Sequence, residues 1–187
     1  MTTTAVLLFH PHLDASRVNA RLAQAARRAG TPERPLEVRD MYGLYPDFRI
    51  DVAAEHAVLE ACDRIILQFP MYWYSSPALL KQWEDDVLAY GWAYGPTGTA
   101  LHGKELALAV SSGGSAESYT HTGSVHYGPH ELLRPFQATS GLIGTRFITP
   151  FITAGTMDLT DEELAERAQA YTAWLTAPDH PELGAFE

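Results

Sequence analysis

Phe69-Pro70-Met71-Tyr72-Trp73-Tyr74-Ser75-Ser76-Pro77 sets three consecutive aromatic side chains directly after the run Arg64-Ile65-Ile66-Leu67-Gln68. A short β-branched run reads as a buried strand, and Pro70 ends it. Ser76 is placed to cap the next helix with Pro77 at its first position, and Leu79, Leu80, Trp83, Val87 and Leu88 recur at helical spacing. The aromatics therefore fall in a loop at the carboxyl end of a strand, where open α/β sheets bind ligands. Their chemistry there is stacking on a flat apolar group; packing under a neighbouring loop is the plainer alternative.

Two further groups have chemistry to offer. Ser111-Ser112-Gly113-Gly114 follows the strand Glu105–Val110, and its glycines let the backbone approach a flat ligand and aim N–H groups at it. An ordinary strand-end turn has the same composition. After the first strand comes His10-Pro11-His12-Leu13-Asp14-Ala15-Ser16-Arg17-Val18-Asn19. A serine hydroxyl and free N–H groups at a helix start, with His10, Arg17 and Asn19 nearby, suffice to hold a phosphate without a glycine motif. Taken alone, Ser16 reads first as a helix cap. His10-x-His12 lacks a third ligand at sensible spacing, so no metal is expected.

The elements that must position these groups alternate along the chain. Strands are expected at Ala5–Phe9, Leu36–Arg39, Arg64–Phe69, Glu105–Val110 and Arg146–Ile152, the last bent or at an edge because of Pro150. Helices are expected from Ser16 to Gly30, Val52 to Cys62, Ser76 to about Tyr90, Pro129 to Ser140, and after the capping box Thr160-Asp161-Glu162-Glu163. This order gives a single α/β domain over residues 1–187, a doubly wound five-stranded parallel sheet with helices on both faces. The loops at 91–103 and 115–128 are long enough to suggest function. In such a sheet the loops after strands one, three and four converge on one edge. A phosphate end, an aromatic wall and a backbone donor patch suit a flavin mononucleotide. No G-x-G-x-x-G follows the first strand and no P-loop is present, which disfavours a dinucleotide fold and an NTPase.

A formal charge of −10 argues against general affinity for nucleic acid or anionic membrane. No run is long enough to span a membrane and no signal segment opens the chain, so a cytoplasmic location is expected. Cys62 is the only cysteine and reads as packing, since no basic neighbour is expected to lower its pKa.

The segment 68–83 resembles the signature of flavodoxin-like NAD(P)H:quinone oxidoreductases, above all their short bacterial branch that includes the ancillary oxidoreductase of potassium-efflux systems. Tyr45-Pro46-Asp47-Phe48, Gly91-Trp92-Ala93-Tyr94-Gly95, Leu101-His102-Gly103-Lys104 and Leu133-Arg134-Pro135-Phe136-Gln137 extend the resemblance over roughly residues 5–153. It implies that His10, Ser16, Val18 and Asn19 hold the flavin phosphate and ribityl chain. It implies further that Pro70, Met71, Tyr72, Trp73, Tyr74, Ser111, Ser112, Gly113 and Gly114 hold the ring, largely through backbone groups. Tyr119 and His126 match the residues that serve hydride transfer, with His121 as the alternative to His126. The family's C-terminal extension is missing here, which favours FMN over FAD. The resemblance also implies NADPH or NADH as co-substrate, a quinone-like acceptor, and a homodimer in which Tyr94 reaches the partner's site. A membrane transporter partner is the runner-up role, and a one-electron carrier is disfavoured by the aromatic loop.

Overall fold

The computed structural model describes residues 2–184. Four longer parallel strands form most of a sheet: β1 (Thr4–Leu8), β2 (Leu36–Asp40) at one edge, β3 (Arg64–Pro70) and β4 (Glu105–Ser111). The strand order is β2-β1-β3-β4, and the edge beyond β4 is shared by two short strands, β5 (Arg146–Phe147) and β6 (Phe151–Thr153). The continuous fifth strand expected over Arg146–Ile152 is thus broken. Pro150 cannot donate to the ladder, and the chain leaves it for the residues between the two short strands.

Period-two alternation divides the core. Ala5, Leu7, Ile65, Leu67, Leu106 and Leu108 face helices α3 (Val52–Ala61), α4 (Ala78–Val87) and α6 (Arg134–Leu142). Val6, Ile66, Ala107 and Ala109 face α1 (Arg17–Ala29) and α7 (Asp161–Thr176). Ser16 caps α1 by accepting from the Asn19 N–H at 3.1 Å, and Thr160 with Glu163 closes the capping box of α7.

Three helical expectations change. The helix placed over Pro129–Ser140 splits at Leu133 into α5 (Pro129–Leu132) and α6, because Pro135 has no N–H to continue the first segment. α4 begins at Ala78 and ends at Val87, shorter at both ends than expected. Ser76 does not cap it. The Tyr42 hydroxyl, from the unforeseen short helix α2 (Met41–Leu44), accepts from the Leu79 N–H at 3.3 Å instead. Cys62 is buried with its thiol pushed up to about 11 by desolvation; Lys104 lies near enough to oppose that shift, contrary to expectation, but the burial outweighs it.

α4 carries the aromatic loop's downstream anchor, and a buried carboxylate fixes it. Glu55 on α3 is fully buried and receives Arg39 Nη2 at 2.5 Å, the Tyr45 hydroxyl at 2.6 Å and Trp83 Nε1 at 3.0 Å. Three donors on one carboxylate tie β2, α3 and α4 together. Glu55→Ala is expected to cost about 3–5 kcal/mol, because it leaves a half-buried guanidinium and two donors without a partner. Urea denaturation measures it.

Candidate active site

The loops after β1, β3 and β4 meet at the carboxyl edge of the sheet, and one buried polar thread sets their spacing. Tyr171 on α7 donates to Gln68 Oε1 at 3.0 Å; Gln68 Nε2 donates to the Asn19 carbonyl at 3.0 Å; Asn19 Nδ2 donates to Ser111 Oγ at 2.8 Å. All four side chains are buried. The thread joins the start of α1 to the ends of β3 and β4. Asn19 is therefore sealed beneath the cleft, bracing it from below. Val18 likewise turns its side chain into the core and offers only backbone.

Beyond Pro70 the chain makes a tight turn closed by Tyr72 N–H to the Ser75 carbonyl at 3.1 Å and Ser75 N–H to the Tyr72 carbonyl at 3.0 Å. Its central residues, Trp73 (φ 50°) and Tyr74 (φ 63°), are both left-handed, the conformation of a type I′ turn normally built with Asn and Gly. Trp73 is 94% exposed. Two bulky residues held in a costly conformation with their rings in the open mark a contact surface.

At β4 the backbone donors divide. Met71 N–H is taken by the Ser111 carbonyl at 2.7 Å and Ser112 N–H by the Thr153 carbonyl at 2.9 Å. The N–H groups of Gly113, Gly114, Trp73 and Tyr74 have no protein acceptor among the described residues. Of the residues expected to hold a ring through backbone groups, these four have donors to give, while Pro70 and Met71 serve to place the turn. Tyr119 packs against this patch: a Cβ on Gly114 would lie 3.0 Å from its Cε2 and 3.7 Å from its hydroxyl oxygen. Only glycine fits there without moving that ring.

His126 is exposed and left-handed (φ 64°), one residue past the Val125–Ser118 backbone bond of 3.0 Å that ties the loop ends. Its Nδ1 lies 3.4 Å from the His121 carbonyl. His121 is committed elsewhere, with Nε2 2.7 Å from Glu131 on α5. Among the described residues, His126 Nε2 is the nitrogen of this imidazole without a protein partner.

At the first loop, His10 Nδ1 accepts the His12 N–H at 3.1 Å, so its neutral ring presents Nε2–H outward. Burial and the neighbouring His12 push His10 below the usual histidine range, making it a neutral donor near pH 7. The first two N–H groups of α1, at Arg17 and Val18, point out of the helix start. The Arg17 side chain is occupied with the Leu159 carbonyl and Asp161, the latter at 2.7 Å, so the backbone N–H groups are the donors open at this helix start.

A fourth wall escaped the sequence reading. The segment after β6 folds against the glycine turn through Gly155 N–H to the Gly114 carbonyl at 2.8 Å and Thr156 N–H to the Ser112 carbonyl at 3.1 Å. Met157, 80% exposed, comes within 3.7 Å of where a Cβ on Gly113 would sit. Only Thr153 to Met157 in sequence carried this, with no aromatic or glycine cluster to flag it. Tyr94 stands edge-on to Tyr90 at 5.6 Å on the rim of a cavity of about 400 Å³ shared with Ser75, Ser76 and Glu84.

A model of the flavodoxin-like fold family matches residues 2–175. The chain belongs to that family. The Uncharacterized NAD(P)H oxidoreductase YrkL of Bacillus subtilis is 47% identical over 174 residues, covering 93% of this chain and 98% of that one. The glutathione-regulated potassium-efflux system ancillary protein KefF of Salmonella newport is 44% identical, covering 92% and 94%. Among solved structures, general stress protein 14 of Treponema denticola in complex with FMN superposes with a TM-score of 0.86 at 40% identity, covering 94% and 98%. An NADPH-quinone reductase of P. pentosaceus gives 0.80 at 29% identity, covering 94% and 98%. A protein described as a thermophilic tryptophan halogenase from Streptomycin violaceusniger gives 0.89 at 47%, covering 94% and 99%.

Beside this family site, Glu84 is a half-buried carboxyl that desolvation pushes up to about 7, with Lys81 opposing and Asp85 adding. In the unfolded chain it ionises near 4.5. Between those values the unfolded state has released its proton while the folded state has not, so this group makes folding less favourable as pH rises through the window. Glu84→Gln is expected to flatten stability between pH 4.5 and 7 and to add about 1–2 kcal/mol above it after allowing for solvent screening. Thermal denaturation across pH tests this, and equal pH slopes in both proteins would contradict it.

Proposed function

We propose that this chain is a flavin-dependent two-electron reductase that holds FMN across the three loops and uses NADH or NADPH to reduce quinones or similar electrophiles. The observation that carries the reading is the meeting, at one sheet edge, of a strained aromatic turn with the unpaired N–H groups of Gly113 and Gly114. A flat, electron-accepting ring needs both. The names of YrkL, the FMN complex of general stress protein 14 and the NADPH-quinone reductase support the same assignment. The halogenase neighbour bears a different activity in its description, and turnover with a quinone separates the two.

FMN, when bound, supplies a two-electron acceptor that takes a hydride from reduced nicotinamide and returns both electrons to an oxidant. The protein's part is placement and charge. The α1 start holds the phosphate through Ser16, the N–H groups of Arg17 and Val18, and His10 Nε2–H. Trp73 and Tyr74 form the wall over which nicotinamide and acceptor alternate. The N–H groups of Gly113 and Gly114 are preorganised dipoles that would offset negative charge on a bound flavin, in the manner of an oxyanion hole. Tyr119 donates a hydrogen bond at that same turn, and His126 holds the proton delivered to the acceptor oxygen. The chain works as one cytoplasmic unit, paired with a second copy that sets Tyr94 near the partner's site.

A second role, as the ancillary subunit of a membrane transporter, is favoured by the similarity to KefF. Among the described residues no helix is long and apolar enough to cross a membrane, so the contact would be with a separate membrane protein. Co-purification from membranes distinguishes it from a free reductase.

Turnover with NADPH and a soluble quinone should be ping-pong, giving parallel double-reciprocal lines. In stopped-flow reduction of holoprotein, His126→Ala should slow the step by roughly ten- to a thousandfold at full flavin content. Tyr119→Phe should slow it less. Wild-type rates in His126→Ala with a slow His121→Ala would move the role to His121; wild-type rates in all three would reduce the loop to a lid.

A further inference from the structure

We propose that the amino edge of the sheet, opposite the active site, contains a binding site for a small organic monocarboxylate. A cavity of about 370 Å³ opens there between the starts of β1 and β3 and the ends of α1 and α7. Its floor is Arg64, a residue 2% exposed at the first position of β3. Nε of that guanidinium donates to Glu105 Oε2 at 2.5 Å, and Nη1 donates to the carbonyls of Leu175 at 3.0 Å and Ala177 at 3.1 Å. Nη2 has no protein acceptor among the described residues, although Arg64 lines the cavity. Nη2 keeps access to the cavity, where its two N–H bonds are open to an oxygen acceptor.

The surroundings define what that oxygen belongs to. Arg34 lines the cavity from its mouth with Nη1 fixed on the Thr176 carbonyl at 3.0 Å. Thr2 and Thr4 add hydroxyl groups, and Thr4 is itself buried. The remaining wall is apolar, from Ala29, Pro35, Leu36, Leu175 and Pro178. Glu105 already balances Arg64, and Arg146 is balanced by Glu182 at 2.6 Å. Arg34 lies at the mouth beside Glu33, so among the described residues the cavity carries only a small positive excess. A monoanion matches it, a doubly charged phosphate ester exceeds it, and the apolar wall calls for a hydrocarbon body. Benzoate has that chemistry.

The site is separate from the flavin reading and stands or falls without it. Amide chemical shifts of the full-length protein, titrated with sodium benzoate at constant ionic strength, test it. Saturable shifts at Thr4, Leu36 and Ala177 are expected, with binding weakened roughly tenfold in Arg34→Gln. Ala29→Phe, which fills the cavity, should abolish them. The proposal is overturned by an absence of saturation in the millimolar range, or by shifts that map to the loops at the opposite edge. Binding unaffected by Arg34→Gln overturns it as well, as does benzamide or inorganic phosphate binding as tightly as benzoate.

Discussion

The hydrogen-bonded thread Tyr171–Gln68–Asn19–Ser111 is the constraint on which the site depends. Parallel sheets are covered on both faces, so their interior is ordinarily apolar. Here two side-chain amides and two hydroxyls cross the α1/α7 face in bonds of 2.8–3.0 Å, every one buried. Each member is satisfied by the next, so losing one leaves its neighbours as unpaired polar groups in a low dielectric. The penalty makes the register between α1, β3 and β4 unique. Three loops that grow from those elements inherit it.

The opposite face uses charge for the same purpose. Glu55 gathers Arg39, Tyr45 and Trp83 around one carboxylate and holds α4 at a fixed distance from β2. Between these two clamps, the Tyr72–Ser75 turn has little room to relax. A left-handed Trp73 and Tyr74 cost of order 1–3 kcal/mol each, and only a rigid frame sustains that. The rings then stand out from the cleft before any ligand arrives, which lowers the ordering cost of binding.

Much of this was legible from residue order. The apolar Ala5–Phe9 and Arg64–Phe69 runs, the Ser16 and Thr160 caps and the Gly113-Gly114 turn are local signals, and each stands in the structure. Local signals failed where a distant group decided the outcome. Ser76 looks like a cap in sequence, yet the Tyr42 hydroxyl reaches Leu79 first. Asn19 is expected to contact the ligand, and residue order does not reveal that its side-chain amide also donates to Ser111, 92 residues away. Gln68 and Met157 carry no pattern of their own; only the packed sheet edge gives them a role. Pro135 and Pro150 were visible, and the breaks they cause at Leu133 and in the edge strand are what their missing N–H groups dictate.

The proposed flavin site depends on the buried thread for its position. FMN titration of the apoprotein, comparing wild type with Asn19→Ala under conditions where circular dichroism shows both folded, tests it most directly. Wild type should saturate at about one FMN per chain, and the variant should bind roughly tenfold more weakly or worse as its three loops lose their common register. A folded Asn19→Ala protein that binds FMN with wild-type affinity, or a wild-type chain that takes up none, would contradict it.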